Sequence, residues 1–190
     1  MTDFSSTYKT QLLSALDTLP LDKVEAAISI LKTARDEDRQ VFVCGNGGSA
    51  ATASHFVCDM VKGGSYGRPK RFRILSLNDN LHTITAYSND VSYECVFVEQ
   101  LTNFARPGDV LICISGSGNS PNVLRAAEYA NQAGLTTIGL TGRDGGRLGP
   151  LSKLEINVAE QHMGRIEDGH MVACHMIAYY FMEREAPTGA

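Results

Sequence analysis

At 190 residues, 43% hydrophobic and 20% charged, the chain suits a single globular unit with an ordinary core, and no segment nears the roughly 20 apolar residues of a membrane span. A formal charge of −4 with Lys and Arg dispersed argues against nucleic acid as the main ligand, and the run Arg68-Pro69-Lys70-Arg71-Phe72-Arg73 reads as a solvated loop. Five cysteines without a C-x-x-C pair exclude a disulfide framework or a cysteine-rich zinc knuckle, so they are expected reduced and mostly buried. Met1–Ser14 is polar and lacks the basic start and apolar block of a secretory signal, which makes the cytoplasm the expected location.

In chain order, two helices come first, Tyr8–Leu16 and Leu21–Asp36, parted at Leu19-Pro20, where proline ends one and starts the other. Residues 1–36 are thus expected as a helical extension ahead of a domain over 37–190. Short β-branched runs then alternate with helical patterns, with strands predicted at Gln40–Cys44, Arg73–Leu77, Val110–Ile114, Thr136–Leu140 and Leu154–Val158. That alternation predicts an α/β fold: a doubly wound, five-stranded parallel sheet flanked by helices. Between the strands, Ser49–Lys62 keeps Ala53, Phe56, Val57 and Met60 on one helical face, and Ser120-Pro121 reads as N-cap plus first position of a helix through Ala133, which Gly134 closes. Gly164–Glu185 is predicted as the last helix.

Two of the strand-to-helix joints are rich in glycine and serine: Cys44-Gly45-Asn46-Gly47-Gly48-Ser49 and Ser115-Gly116-Ser117-Gly118-Asn119-Ser120. Helix N-termini present unpaired amides and partial positive charge, and glycine lets the backbone approach an anion. Ligands of open α/β sheets sit beyond the C-terminal strand edge at a switch point, so both loops can serve one phosphate, with hydroxyls from Ser49, Ser115, Ser117 and Ser120. The first loop matches G-x-G-x-x-A through Gly45, Gly47 and Ala50, but the acidic residue about 20 positions on that a dinucleotide site needs is missing. There is no G-x-x-x-x-G-K-[ST] pattern for a nucleoside triphosphate either. A sugar phosphate suits the loops better.

His55 and Asp59 lie four apart and share a helix face, able to bind metal or titrate together. On the last helix, His175 lies about 80° from Glu167 and His170 about 60° from it on the other side, so only one histidine shares a site with Glu167, and periodicity leaves both open. Such a set supplies N and O ligands for zinc or another divalent transition metal, or an acid and a base for moving a proton next to a carbonyl.

These residues, in this order, resemble the sugar isomerase (SIS) domain and, within it, the phosphoheptose isomerases. The resemblance runs over nearly the whole chain: Cys44–Ser49, His55-Phe56, Ser88-Asn89-Asp90, Gly108–Leu111, Ile114–Ser120, Leu140–Gly146, and Arg165-Ile166-Glu167 to His175. It implies a homotetramer with sites between subunits, converting sedoheptulose 7-phosphate to D-glycero-D-manno-heptose 7-phosphate for heptose-containing glycans. By position it implies substrate contacts from Asn46, Gly47, Gly48, Ser49, Ser115, Gly116, Ser117 and Ser120, with help near Asp79 and Asn80. It implies zinc on His55, Asp59, Glu167 and His175, with Asp59 as base and His175 as acid, and so selects His175 over His170. The chain departs from the family where Asp59 stands for the usual glutamate, Glu167 for glutamine, Gly116 for a threonine and Gly164 for an aspartate, and the added charge of Glu167 suits it either to share or take over proton abstraction or to tighten metal binding. Two other readings are an isomerase or epimerase of a different sugar phosphate, and a non-catalytic SIS module that binds a partner; the retained His55, Asp59, Glu167 and His175 disfavour the second.

Overall fold

The computed structural model describes residues 3–185. Its centre is a parallel five-stranded sheet in the order β2-β1-β3-β4-β5, formed by β1 (Gln40–Gly45), β2 (Arg73–Ser76), β3 (Val110–Ser115), β4 (Thr136–Gly142) and β5 (Leu154–Val158). All five strands begin at the predicted residues. β1, β3 and β4 run further than expected because Gly45 still pairs with Ile114 and Ser115 with Thr141.

Both faces of the sheet are covered, as a parallel sheet requires. Alternate residues of the central strands feed two cores: Val41, Val43, Val110 and Ile112 enter one, and Phe42, Cys44, Leu111 and Cys113 the other. The first core is closed by α2 (Leu21–Asp36), α3 (Gly48–Cys58) and α8 (Met163–Glu183), with α1 (Phe4–Leu16) packed on α8. Val24, Ala27, Ile28, Leu31 and Ala34 of α2 are buried there, so the second N-terminal helix shares the core of the sheet. The second core lies under α5 (Val98–Phe104), α6 (Pro121–Gln132) and α7 (Leu148–Leu151). Four of the five cysteines are buried and all five are unpaired, as expected; Cys44 and Cys113, register partners on neighbouring strands, hold their sulfurs 3.9 Å apart.

Three features depart from the sequence reading. Periodicity assigns no helix to 81–104, yet α4 (Leu81–Asp90), a 3-10 turn (Tyr93–Cys95) and α5 occupy it; α4 fully buries no residue and offers the second core just the partly exposed Ile84 and Tyr87, a stripe too narrow to announce it. The helix expected through Lys62 is α-helical only to Cys58 and continues as a π turn over Asp59–Gly63, closed by Gly64 N–H donating to the Asp59 carbonyl at 2.9 Å. The basic run is structural: the Arg68 guanidinium caps the end of α8 on the Phe181 and Met182 carbonyls, Lys70 pairs with Asp36 at 3.5 Å, and Arg73 donates to the Asp38 carbonyl at 2.8 Å. Among the described residues, no helix is long and apolar enough to cross a membrane.

Candidate active site

The strand order reverses at β1: the chain steps outward to β2 and then returns across to β3. The two glycine- and serine-rich loops leave the C-terminal ends of those adjacent strands, at the switch point where ligands of such sheets bind. In the first loop, Gly47 takes φ +55°, a conformation that favours glycine, and releases α3 at Gly48. Ser49 is buried at the start of that helix. In the second loop, Gly118 turns at φ +63° with its backbone against Gly145, which fixes the loop to the turn after β4. Gly116 lies beneath α8, where a Cβ would meet Met163 Sδ at 2.6 Å, so a larger residue at this point requires the flexible Met163 side chain to move aside.

Ser115 and Ser120 face each other across the second loop, their hydroxyl oxygens 3.4 Å apart. Ser120 occupies the N-cap position of α6 as predicted, but its side chain makes no capping bond. The hydroxyl therefore stays with Ser115, open to an anion at the helix N-terminus. Ser117 Oγ accepts from Asn119 N at 3.2 Å and braces the turn. Of the residues expected beyond β2, Asp79 accepts the Ser54 hydroxyl at 2.6 Å, and Asn80 Oδ1 caps α4 through Thr83 N at 3.1 Å.

Farther along, His55 of α3 and Asp59, the first residue of the π turn, meet His175 of α8. His55 Nε2 lies 3.5 Å and His175 Nε2 3.8 Å from Asp59 Oδ2, with 3.3 Å between the two ring nitrogens. Four ligands around a zinc-sized ion with bonds of about 2.0–2.2 Å stand about 3.4 Å apart, so the three groups are spaced as the edges of such a coordination shell. They are the one cluster of three potential metal-binding side chains found among the described residues. Cys174 adjoins it without joining: burial first, then the Asp59 charge, pushes its thiol up to about 12 and keeps it protonated.

Glu167 stands apart from this triad. Its carboxylate lies against Gly48, where a Cβ would collide with it, at the first turn of α3 and so beside the first glycine-rich loop. His170, the other histidine that helix angles leave open, is fully buried with Nε2 at 2.9 Å from the Thr141 carbonyl, and burial drives its pKa down to about 4. The packing thus sets the two histidines apart, with His175 at the cleft and His170 under β4. Side chains that the sequence reading passed over also shape the site: Asn78 brackets Gly45, accepting from its N–H at 3.2 Å and donating to its carbonyl at 2.8 Å, and Asn122 and Tyr93 bond to Asn46. Asn122, next after Ser120-Pro121, was within reach of motif reasoning; Tyr93 carries no sequence signal.

A parallel switch-point sheet with two glycine- and serine-rich loops and no nucleotide motif is compatible with a sugar-isomerase (SIS) domain, and the SIS domain family matches residues 6–142. Among curated proteins, the phosphoheptose isomerase of Mycobacterium tuberculosis is 43% identical over 139 residues, 73% of this chain and 70% of that protein. The phosphoheptose isomerase of Helicobacter pylori is 35% identical over 171 residues, 90% of this chain and 88% of that protein. The phosphoheptose isomerase structure from Neisseria gonorrhoeae superposes with a TM-score of 0.85 at 30% identity, covering 93% of this chain and 96% of that one. That from Francisella tularensis gives 0.86 at 26% identity, covering 94% and 96%. The chain belongs to the phosphoheptose isomerase family and is an isomerase.

Proposed function

We propose that this chain interconverts sedoheptulose 7-phosphate and D-glycero-D-manno-heptose 7-phosphate through an enediolate. The observation that carries the reading is one helix, α3, with a phosphate-binding loop at its start and the His55/Asp59/His175 triad at its end. In this reading the 7-phosphate rests on Asn46, Gly47, Gly48 and Ser49 and on Ser115, Gly116, Ser117 and Ser120, held by helix N-terminal amides and hydroxyls. Asp79 and Asn80 take sugar hydroxyls.

Asp59 acts as base. It removes a proton from C1 of the ketose, the C–H electrons form the C1–C2 double bond, and the carbonyl pair moves onto O2. Returning the proton to C2 and withdrawing the one on O1 leaves the aldehyde at C1; His175 handles the oxygen-bound protons. Asp59 Oδ2 faces both imidazoles, which leaves its other oxygen for the carbon acid. The triad fits zinc, one ion per subunit on His55, Asp59 and His175, which when bound supplies a positive charge for the developing enediolate. Glu167 is read as a second carboxylate acting on the substrate near Gly48; serving as a fourth ligand would require its side chain to leave that contact.

Two apolar faces support a homotetramer. α4, ten residues long without a buried side chain, exposes Leu81 and Val91 beside Phe104, and a helix so short is not stable in water on its own. A second groove between α2 and α8 exposes Leu21, Met176 and Tyr179, one turn beyond His175. Two distinct self-complementary faces build a closed tetramer. The unpaired cysteines support residence in the reducing cytoplasm.

The test is incubation with sedoheptulose 7-phosphate, with and without chelator, followed by NMR of the product. Conversion to the aldose that chelator suppresses is expected. No conversion under either condition would refute the proposal.

A further inference from the structure

The two loops are tied together by side chains that no role in proton transfer or metal binding explains. Asn46 of the first loop and Asn122 of α6 form a reciprocal amide pair: Asn46 Nδ2 donates to Asn122 Oδ1 at 2.8 Å, and Asn122 Nδ2 donates to Asn46 Oδ1 at 2.9 Å. Each oxygen has a second donor. Tyr93 Oη donates to Asn46 Oδ1 at 2.8 Å, and the Val123 backbone N–H donates to Asn122 Oδ1 at 3.0 Å. A backbone N–H can only donate, so the Asn122 oxygen must face Val123. Its NH2 must then face the Asn46 oxygen, and this leaves the Asn46 NH2 with one hydrogen on Asn122 and one without a protein partner among the described residues.

Asn122 is buried, whereas Tyr93 is about half exposed on the rim. The network thus runs from the helix after the second loop, through Asn46, to a 3-10 turn outside the cleft. Asn122 is buried with both its oxygen and its amide nitrogen hydrogen-bonded, which is a geometric constraint on the loops that the pair joins.

We infer that Asn122 and Tyr93 are positioning residues for the phosphate seat, fixing the orientation of the Asn46 amide and the spacing of the two loops so that its remaining N–H is presented to the ligand. Neither touches the reacting carbons; both act through Asn46. The inference rests on the phosphate seat proposed above. It separates binding from chemistry, because the triad on α3 and α8 shares none of these hydrogen bonds.

The test uses Asn122→Ala, Tyr93→Phe and the double variant. Inorganic phosphate binding is followed by 31P NMR titration, KM and kcat are measured with sedoheptulose 7-phosphate, and thermal melting is recorded alongside. Asn122→Ala is expected to raise the phosphate Kd and the KM together by about tenfold, with kcat within about threefold, the loss of about one hydrogen bond's worth of binding. Tyr93→Phe, which keeps the ring and its packing, is expected to shift both in the same direction by about threefold. Because both act through one amide, the double variant should be no weaker than Asn122→Ala alone. Unchanged phosphate binding in folded Tyr93→Phe and Asn122→Ala would overturn the inference while leaving the isomerase reading intact, as would fully additive losses or a fall in kcat alone. Wild-type protein that neither binds phosphate nor turns over the sugar would overturn that reading and this inference with it.

Discussion

His170 ties part of this protein's stability to pH. Its ring is fully buried beneath β4, Nε2 donates to the Thr141 carbonyl at 2.9 Å, and Nδ1 has no partner among the described residues. Burial is the larger influence and drives the pKa from 6.5 down to about 4, with the Thr141 bond opposing it. The unfolded chain therefore takes up a proton below 6.5 that the folded chain refuses until about 4. The associated stability is complete above 6.5 and is lost as the pH falls toward 4. At about 1.4 kcal/mol per pH unit, the whole interval is worth about 3 kcal/mol. Urea unfolding of the wild type and of His170→Gln at a series of pH values isolates this contribution, since glutamine keeps a donor for Thr141 and carries no proton to titrate. The variant is expected to be less stable at pH 7.5 but to lose less stability per pH unit on acidification, the two curves converging toward pH 4. Parallel curves would refute the reasoning, because they would mean that His170 titrates alike in both states.

Metal content and turnover separate the roles of the carboxylates. His55→Ala and His175→Ala should strip bound metal and abolish isomerisation, whereas Glu167→Gln should retain metal, since the carboxylate lies at Gly48 and outside the triad. Loss of metal from Glu167→Gln by elemental analysis would contradict that placement. Asp59→Asn is expected to lower kcat by at least about 100-fold while leaving phosphate affinity nearly unchanged, and a retained kcat would remove Asp59 as the base. Gly118→Ala should destabilise the fold by about 1–2 kcal/mol from the left-handed backbone alone, and more from the collision of its Cβ with the Gly145 carbonyl, read as a lower urea midpoint. Tyr8→Phe removes the 2.7 Å bond to Asp168 that ties α1 to the start of α8, and a lowered melting temperature with retained metal is expected.

How much of this was legible beforehand differs by element. The strands were, because buried parallel strands are continuous β-branched runs such as Val41-Phe42-Val43 and Val110-Leu111-Ile112, and their alternation with helices leaves few topologies. The two loops were legible as glycine and serine at strand-to-helix joints. What angles on a helical wheel could not decide was His170 against His175; burial against Thr141 decides it, and burial is a tertiary property. The same holds for Glu167, whose spacing from His175 suggests a shared site while packing sends the carboxylate to Gly48. α4 escaped because it turns just two partly exposed residues, Ile84 and Tyr87, to the core, too few to stand out as a helical period. The π turn at Asp59 escaped for a different reason: its extra residue per turn leaves no mark in composition, though it begins at a side chain the site depends on.

The placement of both ends of the chemistry on α3 bears on which sugar fits. From Ser49 to His55 the helix advances about 9 Å, and to Asp59 about 15 Å, at about 1.5 Å per residue. In the proposed reading, a phosphate at the start of α3 and the proton-transfer groups at its far end are therefore held at a fixed separation along one helix. Anchoring at the phosphate does not by itself choose among sugars, because every sugar phosphate offers the same anion. A fixed separation is what would choose: in the proposed reading, a phosphosugar whose reacting carbon does not reach the triad from the same loops is not turned over. The network through Asn46, Asn122 and Tyr93 matters in the same way, since a seat free to shift along the cleft would blur the length that the helix sets.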